Sequence, residues 1–456
     1  MSTENISIRD RLGNVNSNRR DPPNRQNGGS VDNRTYQDLK HKIHQTLLER
    51  VDLKNMQRLS ATQMQDEIRT FVERLLEEEI VVINDAERKN LTRDIQNEML
   101  GFGPLEMLLS DPTISDILIN TYKQVYVERH GKLELTEITF RNDAHLMKII
   151  DKIVSQVGRR IDESSPMVDA RLPDGSRVNA IIPPVAIDGP IMSIRRFAAI
   201  PLRLADLVGY KSLTADMAEI LQGLGNAKVN ILISGGTGSG KTTMLNVLSG
   251  FININERIVT VEDAAELQLQ QPHVVRFETR PPNIEGKGEV TQRALVRNAL
   301  RMRPDRIILG EVRGAEALAM LQAMNTGHEG SMATIHANTP RDALTRLENM
   351  ISMASANLPT KAMRQQISSA ISVVIQVARL TDGKRKVLSI QEITGMEGDI
   401  ITMQEIYAFK QTGIDQKGDV LGHFSASGVC PRFLERLSTF GINIPETVFD
   451  PTRHYF

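Results

Sequence analysis

Residues 235–242 read Gly-Gly-Thr-Gly-Ser-Gly-Lys-Thr, a pattern whose chemistry is phosphate binding. The segment follows the apolar run Val229–Ile233 and precedes a helix-like stretch from Thr243, which is the setting that the pattern G-x-x-x-x-G-K-[ST] requires. Glycines allow successive backbone N–H groups to turn inward and bind phosphate oxygens at a helix N-terminus. The sequence therefore predicts that this chain binds a nucleoside triphosphate.

The last residues of this segment have distinct expected roles. Lys241 can reach the β- and γ-phosphates, and the hydroxyl of Thr242 can ligate Mg²⁺. The predicted nucleotide-binding residues of the loop are Gly235, Gly236, Thr237, Gly238, Ser239, Gly240, Lys241, Thr242 and Thr243.

Two further apolar runs end in carboxylates. Arg257–Asp263 ends in the adjacent acids Glu262 and Asp263, which suit water activation or metal support at the mouth of a parallel sheet. Arg303–Glu311 ends in Glu311, where the acid that supports Mg²⁺ is expected beside a phosphate loop. Gly310 stands where many such proteins carry Asp. Two roles therefore remain open for Glu311, namely holding the metal through water and polarising the attacking water.

The segment Thr326–His336 places His328 and His336 around a glycine-rich turn and a strand. A zinc site is not expected, because no third ligand lies at metal-site spacing. A neutral imidazole that senses the γ-phosphate through hydrogen bonds fits the pattern better.

An arginine-rich stretch flanks these predicted site strands. A run of charge is usually a solvated face, but the planar guanidinium suits phosphate, and an arginine from a neighbouring subunit can stabilise transition-state charge. The stretch comprises Arg276, Arg280, Arg293, Arg297, Arg301 and Arg303.

Three regions precede or carry these segments. Residues 1–34 contain seven Asn, six Arg and four acids with only six apolar residues, so they are expected to be disordered. Residues 35–102 show three amphipathic helical patterns, which predict either a small bundle or a partner-docking module. From Leu213 onward, alternating strand-like and helix-like segments predict a doubly wound parallel sheet that carries the phosphate loop at a strand's carboxyl end.

The region 103–203 has an α+β texture, followed by an expected linker at 204–212. Its predicted features are strands at 116–120 and 125–128, a hairpin turn at His130–Gly131, a helix at 144–157, a turn at Asp174–Gly175 between extended segments from Arg171 to Ala180, and a strand at 191–197.

Composition narrows the function further. The formal net charge is −1 and only 4% of the 456 residues are aromatic, with no Trp, which gives little support for binding nucleic acid. The one cysteine, Cys430, excludes an internal disulfide and a cysteine-cluster zinc site. No run approaches the ~20 apolar residues of a membrane span, and the N-terminus lacks the apolar stretch of a signal peptide. These observations predict a cytoplasmic protein.

Four ordered segments together resemble the motifs of the type II/type IV secretion ATPases. They are the phosphate loop Gly235–Thr242, the acid box Thr260–Asp263, the variant strand end Gly310–Arg313 and the histidine box from Gly327–His328 to Thr334–His336. Arg160–Ala180 and Leu300–Arg306 resemble the CpaF branch, the motor of the tight-adherence (Tad) pilus. The resemblance extends from about Tyr36 to Phe409. Relatives that drive secretion or pilus extension often carry a four-cysteine zinc module, which a chain with one Cys cannot form.

The resemblance implies a role for each matching residue. Lys241 and Thr242 hold the phosphates and Mg²⁺ of ATP, Glu262 positions the attacking water, and Glu311 is the Walker-B-type glutamate and a metal-supporting residue. His336 is a conformational sensor near the γ-phosphate, and Arg195 and Arg196 close over the nucleotide. His328 and Arg280 complete the expected nucleotide-binding set. Because adjacent strand residues face opposite sides, only one of Arg195 and Arg196 is expected to reach the nucleotide.

The resemblance also implies an architecture and partners. The expected fold is α/β, with a RecA-like P-loop ATPase domain at 213–456 preceded by a small α+β, PAS-like domain at 103–203 and the three-helix bundle at 35–102. A homo-hexamer is expected to use ATP and Mg²⁺ and to work with inner-membrane pilus platform proteins and other Tad pilus assembly components, without nucleic acid. Such a protein is cytoplasmic and associates with the inner membrane through the platform proteins. A nucleic-acid translocase and a nucleotide switch that binds without hydrolysis are the two competing interpretations.

Overall fold

The computed structural model describes residues 33–50, 60–78, 83–129, 131–197, 201–282, 286–355 and 357–455. The disorder predicted for residues 1–34 falls on 1–32, which lie outside the described residues, whereas 33 and 34 already belong to the first helix. The chain divides into two compact units, Met1–Met107 and Leu108–Phe456. Among the described residues no helix is both long and apolar enough to cross a bilayer.

In the described part of the first unit, three long helices are present, namely α1 (Asn33–Arg50), α2 (Ala61–Glu78) and α3 (Asp85–Leu100). A capping box starts α3, because the Asn84 side chain accepts from the Glu87 N–H at 2.8 Å and the Glu87 carboxylate accepts from the Asn84 N–H at 3.0 Å. Residues at helical spacing form the shared apolar core: Leu39, Ile43, Leu47, Ile68, Val72, Leu75, Leu76, Leu91 and Ile95. A short helix α4 (Leu105–Leu109) spans the division between the units.

The second unit begins with an antiparallel six-stranded sheet in the order β3-β2-β1-β6-β5-β4, which we call the N-terminal layer. Its elements are β1 (Ile114–Thr121), β2 (Gln124–Arg129), β3 (Lys132–Leu135), α5 (Asp143–Gln156), β4 (Met167–Arg171), β5 (Arg177–Ile181) and β6 (Ile191–Arg195). Strands β2 and β3 pair with Arg129 opposite Lys132, while His130 of the expected turn lies outside the described residues. The turn at Asp174–Gly175 is present, because the Gly175 N–H donates to Leu172 O at 2.9 Å.

A ten-stranded sheet forms the rest of the second unit, which we call the catalytic layer. Its helices are α6 (Leu204–Gly209), α7 (Ala215–Asn226), α8 (Lys241–Ser249), α9 (Gln292–Ala299), α10 (Glu316–Asn325), α11 (Pro340–Ala354), α12 (Thr360–Ala370) and α13 (Phe433–Thr439). Its strands are β7 (Ile231–Gly235), β8 (Ile258–Glu262), β9 (Val274–Glu278), β10 (Arg306–Val312), β11 (Met332–His336), β12 (Val373–Arg379), β13 (Arg385–Glu397), β14 (Ile400–Ile414), β15 (Val420–Ala426) and β16 (His454–Tyr455).

The sheet order is β16-β15-β14-β13-β12-β7-β11-β10-β8-β9. The six strands from β12 to β9 are parallel, as the alternating pattern predicts, and a separate apolar core covers each face. The four remaining strands are antiparallel, which the sequence interpretation missed. The cause is visible in the chain, because Asp382–Gly383 and Gly398–Asp399 place tight turns between long strands.

The linker expected at 204–212 is a helix of the catalytic layer. Helix α6 buries Leu207 in the same core as α7 and β7, and Leu213 follows directly in that core. Apolar residues at helical spacing therefore fix this segment, and the connection to the N-terminal layer shortens to the residues between Arg196 and Leu204, of which 198–200 lie outside the described residues.

The amino-terminal edge of the parallel sheet is closed by buried polar side chains. Asn230 accepts from the Gly330 N–H at 2.8 Å and donates to Ala370 O at 2.7 Å, so it joins three connections. Arg306, which is 0% exposed, donates to both carboxylate oxygens of Glu256 at 2.8 and 2.9 Å. Burial alone would raise the pKa of Glu256, but hydrogen bonds from Arg306 and the charges of Arg306 and Lys228 hold that pKa below its ordinary value.

Arg306→Met is expected to lower the free energy of unfolding by about 3 kcal/mol, because it leaves a buried carboxylate without its main partner. The matched control is Arg160→Met, which removes an arginine that is 70% exposed in its pair with Asp162; this change is expected to cost under ~1 kcal/mol. Chemical denaturation of both variants measures the difference. Equal losses in the free energy of unfolding would show that the ion pair of Arg306 with Glu256 does not stabilise the fold.

Candidate functional site

The carboxyl ends of four parallel strands meet at one edge of the catalytic layer. Strands β7, β11, β10 and β8 are adjacent in that order, and His336 at the end of β11 is paired with Gly235 at the end of β7. Glu262 ends β8, and Glu311 lies one residue before the end of β10. The structure therefore brings the phosphate loop, both strand-end glutamates and His336 together.

The phosphate loop connects β7 to α8 with its glycines in demanding conformations. Gly238 and Gly240 have φ of 67° and 98°, in the left-handed region that favours glycine. A Cβ on Gly235 would lie 2.4 Å from Val377 O, so only glycine fits the end of β7. The loop is thus shaped by residues that cannot be exchanged for larger ones.

Lys241 is folded back onto the loop. Its Nζ donates to Gly235 O at 3.0 Å and to Gly236 O at 2.9 Å. Burial lowers the pKa of Lys241, and the nearby charges of Arg313 and Arg195 act in the same direction while Glu311 opposes them. A phosphate group at this position would offer the ammonium a stronger partner than two carbonyl oxygens do.

Glu262 is almost completely buried at 2% exposure and is held from one side. Its Oε2 accepts from the N–H of Glu266 at 2.7 Å and the N–H of Leu267 at 2.9 Å. Its Oε1 is buried and has no hydrogen-bond partner. Burial raises the pKa of Glu262, and the two N–H bonds only partly offset that effect. A carboxylate with one fixed and one unpaired oxygen is suited to accept a hydrogen bond from a water molecule.

Gly310 has a steric role in placing this carboxylate. A Cβ at Gly310 would lie 2.9 Å from Cγ of Glu262 and 3.5 Å from its Oε2. The absence of an aspartate side chain at this position therefore leaves the space that the Glu262 side chain occupies on the neighbouring strand.

Glu311 is paired with an arginine that the sequence interpretation did not single out. Arg313 donates from Nη2 to Glu311 Oε2 at 2.8 Å, and its Nη1 lies 3.3 Å from Asp263 Oδ2. The hydrogen bond that Arg313 donates to Glu311 raises the pKa of Arg313. Arg313 thereby links the acids at the ends of β10 and β8. One oxygen of Glu311 is engaged, which suits an indirect contact to metal through water.

The two histidines lie at opposite edges of the sheet. His336 is the last residue of β11, beside the phosphate loop, whereas His328 precedes β11, where Ser331 donates to His328 O at 2.7 Å. Since the five residues of β11 separate the two edges by about 16 Å, His328 lies away from the phosphate loop of its own chain, and its expected contact with a nucleotide stays a prediction.

A cleft of about 170 Å³ separates the phosphate-loop helix from the N-terminal layer. Thr242 and Thr243 line it on one side, and Arg177, Arg195 and Arg196 line it on the other. The side chain of Thr237 is exposed on the loop itself.

The structure distinguishes Arg195 from Arg196. Arg196 donates to the main-chain oxygens of Leu108 and Asp111, within its own layer. Arg195 is 57% exposed, donates to Asp116 at 3.2 Å, and carries a charge that acts on Lys241. Arg195 is therefore the better placed of the two to reach a nucleotide.

Arg195 heads a row of three arginines across adjacent strands. Arg195 is paired with Arg177 between β6 and β5, and Arg177 is paired with Arg171 between β5 and β4. Arg177 lies 2.6 Å from Glu266 Oε1, and Arg171 donates to Ala265 O at 3.2 Å and to Glu278 at 3.3 Å. The last two arginines thus bind the catalytic layer next to Glu262.

A second contact joins the two layers on the other side of the phosphate loop. Glu128 on β2 pairs with Arg379 at 3.5 Å and with Arg385 at 3.8 Å. Arg385 also donates to Gly238 O at 2.9 Å, so it contacts the phosphate loop directly. No local pattern marks these residues, because they are brought to the loop by the pairing of β12 with β7.

The arginines of the arginine-rich stretch do not line the cleft beside the phosphate-loop helix. Arg280 donates to Gly288 O at 2.7 Å and closes its own surface loop rather than lining the cleft. Of the arginine-rich stretch, Arg293 is half-buried and the others are exposed: Arg276, Arg280, Arg297, Arg301 and Arg303.

The donor set fits a magnesium nucleotide rather than a bare protein metal site. In the part of the chain that the structure describes, no three His, Cys, Asp or Glu side chains form a metal-binding group. The loop glycines with positive φ, Lys241 and the partly buried Thr242 supply the donors that phosphate and a phosphate-bound Mg²⁺ require.

Comparison with known proteins identifies the family. The sequence profile described as Type II/IV secretion system protein matches residues 98–418. A Mycobacterium tuberculosis protein whose name assigns it provisionally to conjugal transfer is 38% identical over 325 residues, covering 70% of this chain and 92% of that protein. The type IV secretion system protein VirB11 of Bartonella quintana is 31% identical over 323 residues, covering 63% of this chain and 90% of that protein. The crystal structure of the VirB11 ATPase from the Brucella suis type IV secretion system, in complex with sulphate, is 28% identical with a TM-score of 0.35, covering 63% of this chain and 91% of that one. The chain studied here belongs to the family of type II/IV secretion system proteins.

Proposed function

We propose that this chain is an ATP hydrolase of the CpaF-like branch, which assembles as a homo-hexamer and powers Tad-type (type IV) pilus assembly at the bacterial inner membrane. It is also a candidate motor for retraction. The observation that carries the hydrolase assignment is the common sheet edge, where the phosphate loop, Glu262, the Glu311–Arg313 pair and His336 meet. The branch assignment is supported by the segments Arg160–Ala180 and Leu300–Arg306 and by the single cysteine.

The residues divide the chemistry of hydrolysis among them. The loop and Lys241 bind the triphosphate, and the Thr242 hydroxyl, with Glu311 in support, would hold a Mg²⁺ ion that would neutralise phosphate charge. Glu262 orients the attacking water through its unpaired oxygen. Arg195 and His336 are placed to respond to the γ-phosphate, from the N-terminal layer and from β11 respectively.

Mechanical work requires that ATP favours one arrangement of the layers over another, because a ligand shifts an equilibrium only by its differential affinity. Arg195 on the N-terminal layer and Thr242 on the catalytic layer line the same cleft, so a nucleotide there would contact both. Loss of the γ-phosphate would remove part of that contact. Repeated around a ring, this change would move an inner-membrane platform protein.

A motor of a conjugal transfer apparatus is the second candidate, because relatives that carry that name are 33% to 38% identical to this chain. ATPase assays with the cognate pilus platform protein and with single-stranded DNA separate the pilus motor from the two competing interpretations, a nucleic-acid translocase and a nucleotide switch. Stimulation by the platform protein supports the pilus motor. Stimulation by DNA alone supports a translocase, and nucleotide binding without turnover supports a switch.

Lys241→Ala is expected to abolish turnover, because it removes the charge that holds the β- and γ-phosphates. The control is Lys361→Ala, since Lys361 is 71% exposed and pairs only at the surface with Asp399. Steady-state ATP hydrolysis is the measurement. A rate for Lys241→Ala within about threefold of wild type, worth only ~0.7 kcal/mol of barrier, would contradict the assignment of the loop.

Gly310→Ala is expected to lower kcat at least tenfold, about 1.4 kcal/mol of barrier, while the KM for ATP changes less than about threefold. The added methyl group would approach Cγ of Glu262 to 2.9 Å and displace the carboxylate without touching the loop. Gly209→Ala is the control, because nothing lies within 4 Å of a Cβ there. Unchanged kcat in Gly310→Ala would mean that the position of Glu262 does not limit the reaction.

Arg195→Ala is expected to keep the fold and the oligomer but to lower turnover at least tenfold, about 1.4 kcal/mol of transition-state stabilisation. Arg195→Lys should restore little, since a point charge does not reproduce a bidentate guanidinium on phosphate. Arg196→Ala, the comparison variant, should chiefly destabilise the N-terminal layer because two main-chain oxygens lose their donor. ATPase rates and oligomer mass test this, and a wild-type rate in Arg195→Ala would place the closing residue elsewhere.

A further inference from the structure

The carboxylate of Glu262 is oriented by one turn of the chain, residues 263–267. Both hydrogen bonds to its Oε2 come from backbone N–H groups of that turn, those of Glu266 and Leu267. Since Oε1 is buried and has no hydrogen-bond partner, the hydrogen bonds that orient the carboxylate all come from the turn. A shift of the turn is therefore a shift of the group that accepts the water's hydrogen bond.

The N-terminal layer holds the same turn. Arg177 forms an ion pair with Glu266 at 2.6 Å, and Arg171 donates to Ala265 O at 3.2 Å. Arg171 also reaches Glu278 at 3.3 Å on β9, whose backbone pairs with β8 at Glu262. Two arginines at paired positions of β4 and β5 thus contact the side chain and main chain of the turn. The backbone N–H groups of the same turn donate to the Glu262 carboxylate.

We propose that Arg171 and Arg177 are positioning residues through which docking of the N-terminal layer sets the orientation of the Glu262 carboxylate. With the layers docked as in this structure, the turn is held and Oε1 of Glu262 keeps its orientation. Separation of the layers frees the turn and lets the carboxylate swing. Efficient hydrolysis therefore requires that the two layers are docked. This inference rests on the proposed function, because its kinetic test measures ATP hydrolysis.

Magnitudes indicate that the effect belongs to rate rather than to stability. Arg177 and Glu266 are 39% and 29% exposed, and an ion pair at this exposure contributes little to folding. Misplacing a catalytic group by about 1 Å can reduce a rate ~100-fold. Loss of Arg177 should therefore be mild for the fold and severe for the chemical step.

The kinetic test uses the full chain with Arg177→Ala. The expected result is a kcat at least fivefold lower with KM for ATP within twofold, partly restored in Arg177→Lys because a lysine can still pair with Glu266. In a Glu262→Gln background, Arg177→Ala should lower kcat by less than twofold further, since the group it positions is already gone. An increase in KM alone, or effects that multiply in the double variant, would overturn the proposal.

Glu128→Gln is the matched control at the same junction. It weakens the other contact between the layers, to Arg379 and Arg385, without touching the turn. Its effect on kcat, of whatever size, should multiply with that of Glu262→Gln. If Glu128→Gln shows the same loss of additivity as Arg177→Ala, the effect belongs to docking in general and the specific role of the turn is overturned.

Hydrogen exchange gives a readout that does not depend on activity. The amides of Glu266 and Leu267 should exchange at least tenfold faster in Arg177→Ala than in wild type, and no faster in Glu128→Gln. Glu266→Gln serves as a second variant if Arg177→Ala does not fold. Unchanged exchange in both variants refutes the inference, whereas a wild-type chain that hydrolyses no ATP refutes the proposed function and leaves the exchange result to be judged alone.

Discussion

The site depends on the parallel pairing of β7, β11, β10 and β8, because this pairing brings four strand ends to one edge. Each strand is largely apolar and buried, and its charged or titratable side chains lie at or next to its ends. Close packing at that edge demands glycine twice, at Gly235 beside Val377 and at Gly310 beside Glu262. The reactive groups are thus positioned by backbone register, and the loops only adjust them.

The two edges of this sheet are built for opposite purposes. At the amino-terminal edge, Asn230 satisfies the polar groups of three connections and Arg306 neutralises a buried carboxylate. At the carboxyl-terminal edge, Oε1 of Glu262 is buried without a hydrogen-bond partner. An unpaired buried oxygen is costly, and beside the phosphate loop it is what a site that binds a polar ligand requires.

Local sequence patterns identified the residues at the strand ends, because the types and spacing of a phosphate loop and of acids after apolar runs are local signals. They could not identify Arg313 as the bridge between Asp263 and Glu311, nor separate Arg195 from Arg196, since both depend on which side chains meet across strands. They also could not place His328 relative to the phosphate loop, because a motif does not say at which end of a strand its members lie. The antiparallel strands β13–β16 were missed because a prediction of alternating helices and strands gave too little weight to the turns that join them.

The junction between the N-terminal and catalytic layers is made, on both sides of the phosphate loop, from partly exposed ion pairs: Arg177 with Glu266 on one side and Glu128 with Arg379 on the other. Attraction between such groups is screened by salt, with a Debye length of about 8 Å at physiological ionic strength. The apolar cores beneath do not share this sensitivity. A higher ionic strength therefore weakens the ion pairs between the layers while leaving each layer intact. The strength of this junction depends on the salt concentration around the protein.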